Sequence, residues 1–184
     1  RTWWPKVRDL DVLDWAERAI ADGRVGHLGF SFHDEYPVFQ EIVDAYDKWA
    51  MCQIQYNYMD VDIQAGTEGL RYAASKGLAV VIMEPLLGGS LAAPPPAVHE
   101  IFDAAPIQRT PAEWALNWLW DQPEVTVVLS GMSKMQDVEQ NVASADAASV
   151  GMMTPEEREV IARVRETYHG FRGVPCTHCN YCMP

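Results

Sequence analysis

Apolar residues recur along this chain in two alternating rhythms, one at helical spacing and one in short continuous runs. Each cycle reads as an amphipathic stretch, a glycine-bearing turn and an apolar strand. Residues 9–22 place Leu10, Leu13, Ala16 and Ile20 near one helical face. Gly23 is positioned to stop that helix before a strand over 25–31. The next cycles predict a helix over 36–46 and a strand over 51–55, then a helix over 64–75, stopped at Lys76 and Gly77, and a strand over 78–83. A longer connection follows, interrupted by Gly88, Gly89 and the prolines Pro94, Pro95 and Pro96, with a short helix expected over 98–104. Pro111 opens a helix reaching Trp120, a β-branched strand covers 125–129, and a helix covers 134–144. Thr154 as N-cap, Pro155 at the first helical position and the acids Glu156 and Glu157 near the positive helix end begin a last helix, expected to reach Thr167.

Strands separated by helices pair in parallel through right-handed crossovers, so the fold class is α/β. Two architectures share this pattern: a doubly wound open sheet, and four consecutive units of a (β/α)8 TIM barrel. No G-x-G-x-x-G follows a strand, which argues against the dinucleotide-binding open sheet. Four units cannot close a barrel of eight, so the second architecture implies that this chain is one half of a barrel.

With 184 residues, 48% hydrophobic and 22% charged, the chain can bury one sizeable core. A formal charge of -12, with its fourteen Lys and Arg scattered, opposes nucleic-acid and anionic membrane partners. The apolar run over 78–83 is strand length, far from the ~20 residues of a bilayer span, and no secretory leader is expected. Cys176, Cys179 and Cys182 fall within the last nine residues, while Cys52 stands alone in an apolar stretch. That clustering suggests metal or redox chemistry in a reducing, cytoplasmic setting, and Cys52 is expected to pack as a small hydrophobe. His33 and Asp34 read as a loop hydrogen bond or helix cap rather than an acid-base pair. Trp114, Trp118 and Met135 are expected to pack, the two tryptophans sharing a helical face.

The segment Gly23-Arg24-Val25-Gly26-His27-Leu28-Gly29-Phe30-Ser31 resembles the aldo-keto reductase pattern G-K-[VI]-R-x-[IL]-G-x-S at the fifth barrel strand. Cys52-Gln53-Ile54-Gln55-Tyr56-Asn57 and Met83-Glu84-Pro85-Leu86-Leu87-Gly88-Gly89 resemble the sixth and seventh strands. Ser130-Gly131-Met132-Ser133, followed by Gln140-Asn141, resembles the eighth strand and the helix after it. The resemblance covers nearly the whole chain in the right order. It implies the C-terminal half of the barrel over residues 1–150, beginning with the loop after the fourth strand over 1–6, a C-terminal helix and linker over 151–175, and a cysteine motif from 176 to 184.

The resemblance also implies an NAD(P)-dependent oxidoreductase that interconverts a carbonyl and an alcohol by hydride transfer. Ser31 and Gln53 would hydrogen-bond the nicotinamide carboxamide. Met83 stands where many relatives stack a tyrosine on the ring. Glu84, Pro85, Leu86 and Gly88 would border the pyrophosphate, Gly131, Met132 and Ser133 the adenosine phosphate, and Gln140 and Asn141 the adenine. Asp137 occupies the place of an arginine found in NADP-preferring relatives and would repel a 2'-phosphate, which leaves NAD and NADP both open. The catalytic tetrad of Asp, Tyr, Lys and His is expected upstream of Arg1, so this segment alone is expected to be inactive and, lacking its N-terminal half, to self-associate. The tail resembles the C-x-x-C-x-x-C-x-x-C-P of an iron-sulfur branch of the family, implying that Cys176, Cys179 and Cys182 help hold a 4Fe-4S cluster in the parent protein, while this segment with its three thiolates is expected to hold no stable cluster. A zinc site using His178 is the competing metal reading, and a non-catalytic nicotinamide-binding subunit or an electron-transfer module the competing functional readings.

Overall fold

The computed structural model describes residues 3–171. Four strands, β1 (Leu28–Ser31), β2 (Trp49–Gln55), β3 (Ala79–Met83) and β4 (Val125–Val128), pair in parallel and in chain order. The order contains no reversal, so right-handed crossovers all return over the same face of the sheet. This is the strand order of consecutive barrel units and not that of a doubly wound sheet, whose order turns back on itself.

The consequence is visible in burial. Cys52, Ile54, Val80 and Ile82 face the helices and are fully buried, whereas Met51, Gln53, Gln55, Val81 and Met83, on alternate positions, are half-buried. The helix-side core packs Phe39, Ile42 and Val43 of α3 (Tyr36–Asp44), Leu70 and Ala73 of α4 (Gly66–Ser75), and Leu119 of α6 (Pro111–Trp120) onto that face. A second cluster joins α5 (Pro96–Asp103), α6 and α8 (Pro155–Phe171) through Val98, Phe102, Trp114, Val160, Ile161 and Val164. The helix α7 (Met135–Ala147) follows β4.

Helix starts follow local chemistry. Thr110 caps α6 in a reciprocal box with Glu113, with Pro111 just inside, and Thr154 and Glu157 repeat the arrangement at α8. The chain start departs from expectation: residues 3–9 form α1 (Trp3–Asp9), and Asp11, at φ 50, separates it from α2 (Val12–Ala21). Tertiary contact explains the extra helix, because Trp4 is buried and its indole Nε1 donates to Glu41 at 3.0 Å. Aspartate is among the few non-glycine residues that tolerate the left-handed conformation at the break. Trp114 and Trp118 pack as expected, Trp114 stacking on Phe102 with ring centroids 5.7 Å apart. Met135 does not: as the first residue of α7 it is 71% exposed.

Candidate functional site

The C-terminal ends of β1, β2 and β3 bring three of the sequence-predicted residues together. Ser31 and Gln53 are register partners, so their side chains leave the sheet on the same face, opposite the helices. Gln53 Nε2 donates to Ser31 Oγ at 3.4 Å and lies 3.4 Å from Met83 Sδ. The first is long for a hydrogen bond to oxygen, and the second goes to a weak acceptor. The amide therefore keeps hydrogen-bonding capacity for a ligand above the strand ends.

Beside this trio lies a groove of about 430 Å³, lined by Met83 to Leu86, Gly88 and Gly89 on one wall and by Leu129, Ser130 and Gly131 on the other. Its wall after β3 is a tight coil with Glu84, Leu87, Gly88 and Gly89 at φ 55, 49, 61 and 90. A Cβ at Gly88, Gly89 or Gly131 would meet nothing within 4 Å, so these glycines leave open space where a ligand can approach the main chain. An extended polar ligand whose ring sits at Gln53 and whose tail follows the groove would fit this cradle. Met132 and Ser133 are exposed past the second wall, Gln140 is exposed on α7, and Asn141 turns inward to donate from Nδ2 to Ser130 Oγ at 3.1 Å. Asp137 is in the first turn of α7.

Asn57, Asp60 and Gln55 form a support that the sequence reading leaves without a role. Asn57 is fully buried. Its Nδ2 donates to the Glu84 carbonyl at 3.0 Å, and its Oδ1 accepts from the N–H groups of Met59 and Asp60 at 2.9 Å. Gln55 Nε2 donates to Asp60 at 2.9 Å, and Gln64 donates to Gln55 at 3.2 Å. The signal in the sequence is Asn57 itself, two residues past the end of a strand and set between Tyr56 and Tyr58.

Asp34 accepts from the Glu35 N–H at 2.8 Å, a local loop bond at the start of α3. Cys52 is buried, and desolvation pushes its thiol up to about 12, which keeps it protonated and unreactive. Among the described residues no cluster of His, Cys, Asp or Glu could hold a metal, and no helix is long and apolar enough to cross a membrane. Cys176, His178, Cys179 and Cys182 lie outside the described residues.

Residues 2–156 match the aldo/keto reductase family. The chain belongs to that family. It is 28% identical over 143 residues to an uncharacterized oxidoreductase of Schizosaccharomyces pombe, covering 77% of this chain and 44% of that protein. Among solved structures, the holo form of an aldo-keto reductase from Bacillus halodurans superposes with a TM-score of 0.64 at 22% identity, over 80% of this chain and 53% of the other. An aldo/keto reductase from Klebsiella pneumoniae, solved with NADP and acetate, superposes with a TM-score of 0.62 at 22% identity, over 81% and 51%. At such identity these likenesses are of fold. The chain spans about half the length of the relatives it matches.

Proposed function

We propose that this chain is the cofactor-holding half of an NAD(P)-dependent aldo-keto reductase, supplying the fifth to eighth strands of a (β/α)8 barrel and their helices. The parent enzyme reduces a carbonyl or oxidises an alcohol. The observation that carries the reading is the placement of Gln53 between Ser31 and Met83 at the strand ends, next to a groove walled by exposed glycines. The nicotinamide cofactor supplies or accepts hydride when bound. Ser31 and Gln53 then fix its carboxamide and hence the ring face presented, and Met83 packs against the ring. The groove walls at Glu84, Pro85, Leu86, Gly88, Gly131, Met132 and Ser133 follow the phosphates, with Gln140 and Asn141 toward the adenine. The NADP-bound relative of the same fold supports this choice of cofactor. The proton donor and its partners are assigned to the preceding four strands, which also shape the substrate pocket.

Titration of the full-length protein with NADPH and NADH, followed by tryptophan fluorescence, tests the reading. Gln53→Ala should weaken binding about tenfold through a lost hydrogen-bonding anchor, with little change in stability. Unchanged affinity would remove the ring from this site. Turnover of simple aldehydes by the same protein separates an enzyme from a nicotinamide-binding subunit. For the tail, the spacing of Cys176, Cys179 and Cys182 supports a 4Fe-4S cluster completed by a further cysteine. Stoichiometric iron and sulfide in anaerobically purified full-length protein would support it, and zinc without sulfide would overturn it.

A further inference from the structure

The coil after β3 gives one of its main-chain donors to a carboxylate. The N–H groups of Leu87, Gly89, Ser90 and Leu91 donate to carbonyls of Glu84, Leu86, Leu87 and Leu86, all at 2.9 to 3.1 Å. Gly88 differs from these neighbours: its N–H donates to Oε2 of Glu84 at 2.5 Å. The Glu84 main chain is pinned at the same time, since its carbonyl accepts from both Asn57 and Leu87, and its left-handed φ of 55 curls the side chain back over the coil. Among the described residues that line the groove, Glu84 alone is ionisable.

An N–H that donates a short, charge-assisted bond to a carboxylate oxygen presents the geometry that a phosphate oxygen also uses. Both anions cannot hold it, and a carboxylate kept beside a phosphate in this groove would repel it, with no cation among the described lining residues to offset the charge. Glu84 is exposed, so its carboxylate can turn into water, where it is well solvated. We infer that Glu84 is an internal anion that occupies the Gly88 donor in the free protein and yields it to the pyrophosphate of an incoming dinucleotide, thereby lowering affinity for that ligand. This rests on the assignment of the groove to the nucleotide. It adds a device that sets nucleotide release, since a carboxylate waiting beside the donor competes for it in every exchange.

The test uses the full-length protein, with Kd for NADPH and for inorganic pyrophosphate measured by calorimetry. Glu84→Ala removes the competitor, and Glu84→Gln keeps an acceptor for Gly88 while removing the charge, which preserves the coil. Both variants should bind NADPH about tenfold more tightly, and pyrophosphate more tightly by a similar factor. Affinity equal to or weaker than wild type in Glu84→Gln would overturn the inference, making the carboxylate a brace for the coil. Gly131→Val separates this failure from that of the groove assignment, because a side chain there enters open space on the opposite wall. If it weakens NADPH binding while the Glu84 variants bind no better, the groove holds the nucleotide and the competitor role is wrong. If it leaves binding unchanged, the groove assignment fails and takes the inference with it.

Discussion

The buried side-chain amide of Asn57 donates to the main-chain carbonyl of Glu84 at 3.0 Å, tying the chain that leaves β2 to the chain that leaves β3. With the two N–H groups that its Oδ1 accepts, this one residue fixes a wall of the candidate groove. Asn57→Ala would leave the buried N–H groups of Met59 and Asp60 without their acceptor, at a cost of about 2–4 kcal/mol. Denaturant unfolding of the full-length protein should show that loss. Asn57→Asp keeps an acceptor for those N–H groups but buries a carboxyl with one oxygen against the Glu84 carbonyl, so it should also lose stability and loosen nucleotide binding.

Gly29 makes a different demand. It pairs with Met51 across β1 and β2, and a Cβ built on it would stand 2.8 Å from the Met51 carbonyl oxygen and closer still to the Met51 side chain. A flexible thioether can move aside, but a main-chain oxygen inside a paired strand cannot. Gly29→Ala should therefore separate the two strands, costing about 1–3 kcal/mol, and draw Ser31 away from Gln53. Because the obstacle is backbone, Met51→Ala should not restore the lost stability, which a double-mutant comparison of unfolding midpoints would reveal.

These two residues mark how far the sequence could be read. The alternation of helical and strand rhythms located the strand ends at Ser31, Gln55 and Met83, because burial on the helix side imposes period two on β2 and β3. At β4 the strand stops one residue before the expected Leu129, although the Leu129 N–H still donates to Ile82 at 2.9 Å. Helix α1 was not legible, since it is tied down by a Trp4–Glu41 contact between residues 37 apart. Asn57 lay within a recognisable motif, but its role depends on where the chain after β3 returns, which local pattern does not encode. The glycines of the groove were readable as turns; that Glu84 reaches Gly88 was not.

The exposed pair Asp44 and Lys76 links α3 to α4, with Lys76 Nζ 2.8 Å from Asp44 and the Tyr72 hydroxyl donating to the same carboxylate at 2.5 Å. The Lys76 ammonium, followed by the Tyr72 hydroxyl, holds the Asp44 carboxyl below its ordinary value of 3.8. A depressed folded-state value means that the contribution is complete above the unfolded value and is lost as pH falls through the lowered one. Asp44→Asn should consequently be less stable than wild type at neutral pH, by a modest amount for so exposed a pair. The two proteins should converge in unfolding midpoint as the solution is taken to acid below the ordinary carboxylate range. A gap that persists at low pH would show that packing, not charge, distinguishes them.

The sheet itself supplies the last prediction. Among the described residues, β1 and β4 each pair on one side only, and the face that carries Gln53 has no helix over it. Val127 and Leu129 are 44% and 42% exposed at the β4 edge, and an apolar groove of about 240 Å³ lined by Trp3, Val12, Leu28 and Phe30 borders β1. In a closed barrel both edges would be paired and the inner face filled by side chains from the other strands. If this chain is half of such a barrel, the 184 residues expressed alone should sediment as dimers or larger species. Val127→Asp, which places a charge at the exposed edge, should weaken that association without lowering helix content. Co-expression with the preceding half should instead give a monodisperse one-to-one complex that binds NADPH. A stable, monodisperse monomer of this chain alone, indifferent to Val127→Asp, would overturn the half-barrel assignment, because an apolar inner face and two open strand edges would then have to be satisfied within a single copy.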